Sequence, residues 1–545
     1  MPEEITPPTS SDPTGQVFVE ADDVAQTPIE DDAPKRGALR TAGVISGRIV
    51  LGCVAVAAVA VVVGAAILIP LPSVRSSAVS TVVTPVPTTR QLVCPGGLLR
   101  LASASGKGAT TASAIGSPRV VSAAQPGDVI DNPFGITDAG TAKGPAAPML
   151  LGTPAIVPGV AAPLLAGSQS ESVKTSEFFG LSSAECTAAS GSTWLAGGAT
   201  SVGRTTLLLL SNPTDVPAVV SVQVFGETGQ VTAPGEDGIA VAAGAQRVVS
   251  LAGFAPNLTS PVVHVQSTGG QVVASLEQTT VRGVTPGGVD FVAGTAAPAV
   301  TTVLPGVVVA GTEAIQSLQG QDGFDDLQTT LRIYLPRGAA SSASISVLAE
   351  NGTVTGKPIK TTLQAGSVTD LPLDQLSDGN YTVIVTSKRP VVASIRVSTA
   401  TASPADSSTT GGTDTGGTAP GTGTDTDGAG TDTDDATDFA WITPAALLTS
   451  KVLVPVAAGM QATVHLENPT NQSATVTLQA LSGASITKVV AAHRSVAIPV
   501  VAGRTYELTG FSQLYGSVSG VGPAEVTSYG ISPLARGEGP LRVFG

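Results

Sequence analysis

Aromatic side chains are scarce: they make up 3% of the 545 residues, and only two of them, Trp194 and Trp441, are tryptophan. That leaves few stacking platforms for sugars or bases, and any core must be built from Val, Leu, Ile and Ala. Charge is thin as well, at 12% of the chain, and it leans acidic, with a formal net charge of −14. Such a chain repels phosphate backbones, and no Lys/Arg stripe with interleaved aromatics overcomes the repulsion, so nucleic acid is excluded as a partner. Only three histidines occur, His264, His465 and His493, and no two stand at helical metal-binding spacing. The acidic residue close to one of them in sequence is Glu467, two after His465. No metal, cofactor or catalytic residue is therefore expected.

Cysteine is nearly absent too. Of Cys53, Cys94 and Cys186, the first lies in an apolar segment, which leaves Cys94 and Cys186 for one bridge. Outside the cell they can pair, closing a loop worth roughly 4 to 5 kcal/mol in the chain-entropy view. The other reading is two unpaired structural thiols.

What is present is first a long hydrophobic run. From Ile49 to Ile69 no residue is charged, and 21 residues rise about 31 Å as a helix, the thickness of a bilayer's hydrocarbon core. Lys35, Arg36, Arg40 and Arg48 precede the run, against Arg75 and Arg90 after it, so the positive-inside rule puts the N-terminus in the cytoplasm and the C-terminal part outside. A cleaved signal peptide is the competing reading, but its leader should be short and here it is 48 residues. Nine acidic residues between Glu3 and Asp32, with little to bury, make that leader a disordered tail.

Beyond the span, Val, Thr and period-2 alternation argue for β-structure, arranged in three similar stretches. The first has Leu207 to Leu210 leading into Asn212-Pro213, then the alternating Val220 to Val224. The third has Val464 leading into Asn468-Pro469, then Ala474 to Leu478; the middle one has Tyr334-Leu-Pro336, Ile345 to Val347 and an Asn351-Gly352 hairpin signal. An eleven-residue element follows each: Val241–Leu251, Leu363–Leu373 and Val490–Val500. Tyr381 and Tyr506 recur at one position, which suits a structural corner. Copies of this length suit small sandwich domains rather than solenoid units. Between the second and third, residues 402–438 are Thr, Gly, Ser and eight Asp, which reads as an extended acidic linker. Its Asp425-Thr-Asp427-Gly resembles a piece of a calcium loop but lacks the full ligand spacing.

The expected organisation is thus a disordered tail (1–42), a transmembrane helix (43–71), an irregular β-domain with the Cys94–Cys186 bridge (73–200), sandwich-like repeats at 201–300, 301–401 and 439–545, and the linker (402–438). No catalytic signature survives inspection. Gly516-Ser-Val-Ser-Gly520 carries Val where a nucleophile elbow needs Ser, Ser485-Ile-Thr-Lys488 lies between strands, and Ala104-Ser-Gly-Lys-Gly lacks the leading glycine of a P-loop. Paired carboxylates for glycoside hydrolysis are set by folding and stay open.

The single span, the Leu-Val-Cys94-Pro-Gly segment, the Glu185-Cys186 to Trp194-Leu run and the Asn212-Pro213-Thr-Asp copies with Pro261-Val-Val resemble a family of uncharacterised, membrane-anchored cell-envelope proteins of actinobacterial type. The resemblance implies no established activity. The expected role is a non-catalytic extracytoplasmic scaffold or binding protein that presents its domains to an envelope polymer or protein partner. The alternative is an envelope-polysaccharide enzyme or a subunit of one.

Overall fold

Alternate burial builds the strands. Along Ala218–Gly226 the side chains of Ala218, Val220, Val222 and Val224 are fully buried, whereas Val219 is exposed and Ser221 and Gln223 are half-buried. This is the pattern of a sheet with one face on a core. The computed structural model describes residues 80–83, 89–101, 112–132, 137–138, 147–154, 163–401 apart from 296, 322, 351 and 353–355, 436–533 and 541–544. The chain forms two compact units, residues 1–81 with 543–545 and residues 82–542, the first almost wholly outside the described residues. The predicted tail 1–42, membrane helix 43–71 and positions 402–435 of the predicted linker also lie outside them. Among the described residues no helix is long and apolar enough to cross a membrane.

The second unit is mostly β, with one short α-helix, Thr312–Leu318, among its described residues. The three stretches matched in sequence fold into sandwiches with one strand order. In the first, one sheet runs Ser192–Ala196, Val262–Gly269, Ala218–Gly226, Gly229–Val231, and the facing sheet runs Thr285–Val292, Val273–Arg282, Arg204–Asn212, Ala245–Ser250. In the third, the corresponding orders are Val452–Pro455, Thr505–Thr509, Ala474–Ala480, Ser485–Val490, and Glu525–Gly530, Tyr515–Gly522, Gln461–Glu467, Ser495–Val500. Each encloses a core of Val, Leu and Ile.

The second sandwich departs in two ways. The continuous strand Gly379–Ala400 serves both sheets: Tyr381 to Ser387 pairs with Ser341–Ala349, and Val392 to Arg396 pairs with Thr330–Tyr334. Its last strand is Thr437–Ile442, which pairs antiparallel with Ile395 to Ala400. The acidic stretch predicted between the second and third copies therefore connects two neighbouring strands of one sheet. The other copies close the equivalent hairpin within a few residues, between Val273–Arg282 and Thr285–Val292 and between Tyr515–Gly522 and Glu525–Gly530.

The region before the first copy keeps a reduced form of the same order. Gln91–Cys94, Met149–Gly152 and Ile130–Asn132 make one sheet; Phe179–Glu185, Leu164–Lys174 and Arg119–Gln125 make the other. Its core is small, with Leu151, Leu92, Val120 and Met149 packed around the cysteines. The final strands of all four copies, Phe179–Glu185, Thr285–Val292, Thr437–Ile442 and Glu525–Gly530, pack against one another at the centre of the unit. Each copy thus shares a seam with the next, and the third sandwich returns to the N-terminal copy.

Candidate functional site

The four central strands meet on one side chain. Asp438 is fully buried, and its carboxylate accepts hydrogen bonds from the backbone N–H groups of Leu181 (2.9 Å), Val289 (3.2 Å) and Val526 (3.1 Å), each from a different copy. A Cβ at Gly288 would lie 2.9 Å from its Oδ1, so only glycine allows this approach. Asp290, also fully buried, accepts the Trp441 N–H at 2.6 Å. Burial pushes both carboxyls well above the ordinary range, against the pull of their N–H donors, and Asp438 raises Asp290 further. Neither lines either of the two cavities described below.

The candidate site is the seam between the first and second sandwiches, where a cavity of about 750 Å³ opens. Arg204, Gln278, Ser201 and Thr259 come from the first sandwich, and Asp326, Gln328, Arg332 and Arg396 come from the second. Arg332 is saturated. Its Nε and Nη2 grip Asp370 at 3.0 Å each, and its remaining donors reach the carbonyls of Gly198, Pro261 and Thr259, while its guanidinium stacks 4.9 Å from the Trp441 ring. The clamp lies within the second sandwich, and the bonds from Arg332 to those three carbonyls and from Ser260 to Asp370 stitch it to the first.

Deeper in the seam three guanidiniums converge on one carboxylate. Arg282 Nη2 lies 2.7 Å from Asp326 Oδ1, Arg204 Nη2 lies 2.8 Å from Oδ2 and Arg396 Nη2 lies 3.4 Å from Oδ2. Burial opposes ionisation of Asp326, but Arg396, Arg282 and Arg204 together outweigh it and hold the carboxyl well below the usual carboxylate range. Burial, with the neighbouring arginines, brings Arg396 down to about 10 against the pull of Asp326, so it stays charged at neutral pH. Its guanidinium stacks 4.6 Å from the Phe439 ring, and its Nε has no hydrogen-bond partner.

A second cavity, of about 440 Å³, is lined by all four copies where their connections converge, with Glu185, Thr193, Thr302, Thr443, Tyr515 and Ser532 among its walls. Burial pushes Glu185 up to about 7 although Ser532 donates to it from both N–H and Oγ.

Cys94 and Cys186 are joined in a disulfide that ties the two sheets of the N-terminal copy together, staples of this kind being what small cores need. His264 stacks on Trp194 with ring centres 4.0 Å apart and bonds Ser192 and Gln223. His493 bonds Asn471 at the surface. His465 reaches a partner that its sequence neighbourhood does not contain: its Nδ1 lies 2.6 Å from Glu350 of the second sandwich, and its Nε2 lies 2.7 Å from Ser519 Oγ. A Ser–His–Glu chain is the order of a nucleophile relay, yet His465 is fully buried, Ser519 is 3% exposed, and neither lines a cavity described here. Among the described residues no group of three or more His, Cys, Asp or Glu is arranged to hold a metal. Sequence reasoning missed Arg204, Arg282, Arg396 and Asp326. The available signal was an arginine inside an apolar strand run, as in Ile395-Arg396-Val397, in a chain with little charge.

A family model described as a family of unknown function (DUF5719) matches residues 139–509. No curated protein matches the chain. Among solved structures, the crystal structure of Thermotoga maritima 1070 is 18% identical over 19% of this chain and 82% of its own length, with a TM-score of 0.16. The BSP domain of a biofilm associated protein is 10% identical over 68% of this chain and 64% of its own, with a TM-score of 0.12.

Proposed function

The chain belongs to the DUF5719 family of unknown function, and from that premise we propose that it is a non-catalytic scaffold or binding protein of the cell envelope, anchored by one membrane helix with its β-rich part outside the cell. The observation that carries this reading is the cleft between the first and second sandwiches, a cavity of about 750 Å³ walled by hydrogen-bonding and charged groups and held by rigid strands. The Cys94–Cys186 disulfide supports an oxidising compartment, where such bonds persist. The uncharged run from Ile49 to Ile69 supports the anchor. Against Asp326 as the acid of a glycan-cleaving reaction, three arginines hold its carboxyl ionised, so it does not supply the proton such a reaction needs.

The test joins a phosphatase reporter fused after Gly545 to crosslinking of intact cells, with the cleft open or filled by Gln328→Trp. An active external reporter, and envelope material crosslinked by the wild-type chain but not by the filled one, is the expected outcome. Reporter activity confined to the cytosol, or equal crosslinking by both chains, overturns the reading.

A further inference from the structure

We infer that the cleft between the first and second sandwiches is an oxyanion site, built to take a carboxylate or phosphate group carried on a saccharide. The inference rests on the cleft being the binding site proposed above and adds what it recognises. Its basis is a charge imbalance. Three guanidiniums, Arg204, Arg282 and Arg396, share the single carboxylate of Asp326, so cations outnumber acids by two within this cluster, while Glu227, Asp325 and Asp370 stand elsewhere in the cavity lining. The imbalance is out of water: the Arg282 side chain is 4% exposed and that of Arg396 is 9% exposed. A buried charge is normally paired or fully hydrogen-bonded, because desolvating it otherwise is strongly unfavourable.

Arg282 meets that requirement within the protein, through Gly323 O, Gly287 O, Thr437 Oγ1 and Asp326. Arg396 does not. Its Nη1 donates to the backbone carbonyl of Asp326, its Nη2 meets Asp326 only at ion-pair distance, and its Nε donates to nothing, while the residue lines the cavity. Nε and Nη2 are closed off from solvent, so an oxyanion completes the guanidinium's fork, the geometry in which arginine takes carboxylate and phosphate, once the Arg396 side chain turns toward the cavity. Arg204, whose side chain is 19% exposed, supplies a second cation from the facing wall.

The rest of the lining suits hydroxyl-rich ligands. Ser201, Thr259, Gln278, Gln328 and Thr330 line the cavity, and two further carboxylates, Glu227 and Asp325, stand exposed at its lining and accept hydroxyl hydrogens. Those exposed carboxylates and the chain's net charge of −14 disfavour a dense polyanion and favour one isolated charge on a polar frame. The volume, about 750 Å³, lies in the range of roughly 300–1,000 Å³ usual for small-ligand sites.

The test is calorimetric titration of the full-length, detergent-solubilised chain with trigalacturonate, glucose 6-phosphate and the neutral maltotriose. Either acidic probe is expected to bind at least about tenfold more tightly than maltotriose, the preference between the two telling carboxylate from phosphate, and Arg396→Gln is expected to lose about tenfold or more of that affinity. The unliganded Tm of Arg396→Gln should match the wild type; if that variant fails to fold, Arg204→Gln is read in its place with the same expected loss. Failure of both acidic probes, equal binding of maltotriose, or unchanged affinity in the folded variant overturns the oxyanion assignment. Maltotriose binding that is indifferent to Arg396 removes the oxyanion but leaves the cleft a binding site, whereas a cytosolic reporter removes the envelope role and leaves this assignment standing.

Discussion

Two seams of the same molecule join the same kind of sandwich in opposite ways. Between the first and second copies the contact joins an apolar cluster of Trp194, Phe225 and Tyr334 to a set of ion pairs and leaves a cavity, with Arg396 short of partners. Between the second and third it is closed. Glu350, His465 and Ser519 bond in series, Gly306 and Thr382 donate to the other Glu350 oxygen, and Ser517 donates to Pro305 O. Gly306, at φ 74°, lets the backbone pass where a Cβ would lie 2.8 Å from the His465 ring. Val526 of the third copy also enters the core of the second. A hydrogen-bond chain with its main groups satisfied locks two modules; a seam left with charge to spare is one that a ligand can complete.

That contrast breaks most readily where the copies meet. Asp438→Ala strips the acceptor from three buried N–H groups, at about 1–3 kcal/mol for each, so chemical denaturation should show a loss of about 3–9 kcal/mol. At the closed seam, Glu350→Ala leaves His465 buried without its partner and should cost about 3–5 kcal/mol. The matching change at the open seam, Arg396→Gln, removes a group with an unmade hydrogen bond and should cost less than about 1 kcal/mol. Equal losses at the two seams would erase the distinction.

The seams should also answer pH with opposite signs. Burial pushes Glu467, two residues along the strand from His465, from its ordinary 4.5 up to about 7. Its folded form holds a proton that the unfolded chain has released, so its stabilising share is whole below pH 4.5 and is lost as pH rises through about 7. Asp326 runs the other way: its share is present above 3.8 and is lost as pH falls toward its depressed folded value. Thermal scans should therefore give the highest Tm near pH 5, decline toward pH 8, and decline less steeply in Glu467→Gln. A control lies within the copies. Asn212 and Asn468 make the same turn, each bonding the Thr two residues on (3.0 Å to its N–H, 2.7 Å to its Oγ1) and the carbonyl four residues on. Asn212→Ala and Asn468→Ala should each cost about 1–3 kcal/mol, and by similar amounts.

Much of the repeat was legible beforehand. The alternating strands, the Asn-Pro turns and the recurring tyrosines stand where the pattern places them. Tyr381 donates to Ser377 O four residues upstream, and Tyr506 accepts from Val501 N–H five upstream. The N-terminal copy was not legible, because its core is small and, among the described residues, its two sheets have three strands each where the common order has four. The acidic stretch was misplaced because composition marks a segment as solvated without saying which strands it joins.

Sequence alone determined the strand period, the turn chemistry, the scarcity of catalytic signatures and the cysteine pair available for bridging, since each is a property of neighbours along the chain or of counts. Only the tertiary structure decided that Thr437–Ile442 completes the second sandwich, that Glu350 meets His465 across 115 positions, and that three distant arginines share Asp326. Those pairings depend on how finished sandwiches pack face to face, and no local pattern encodes which buried charge is left without a partner.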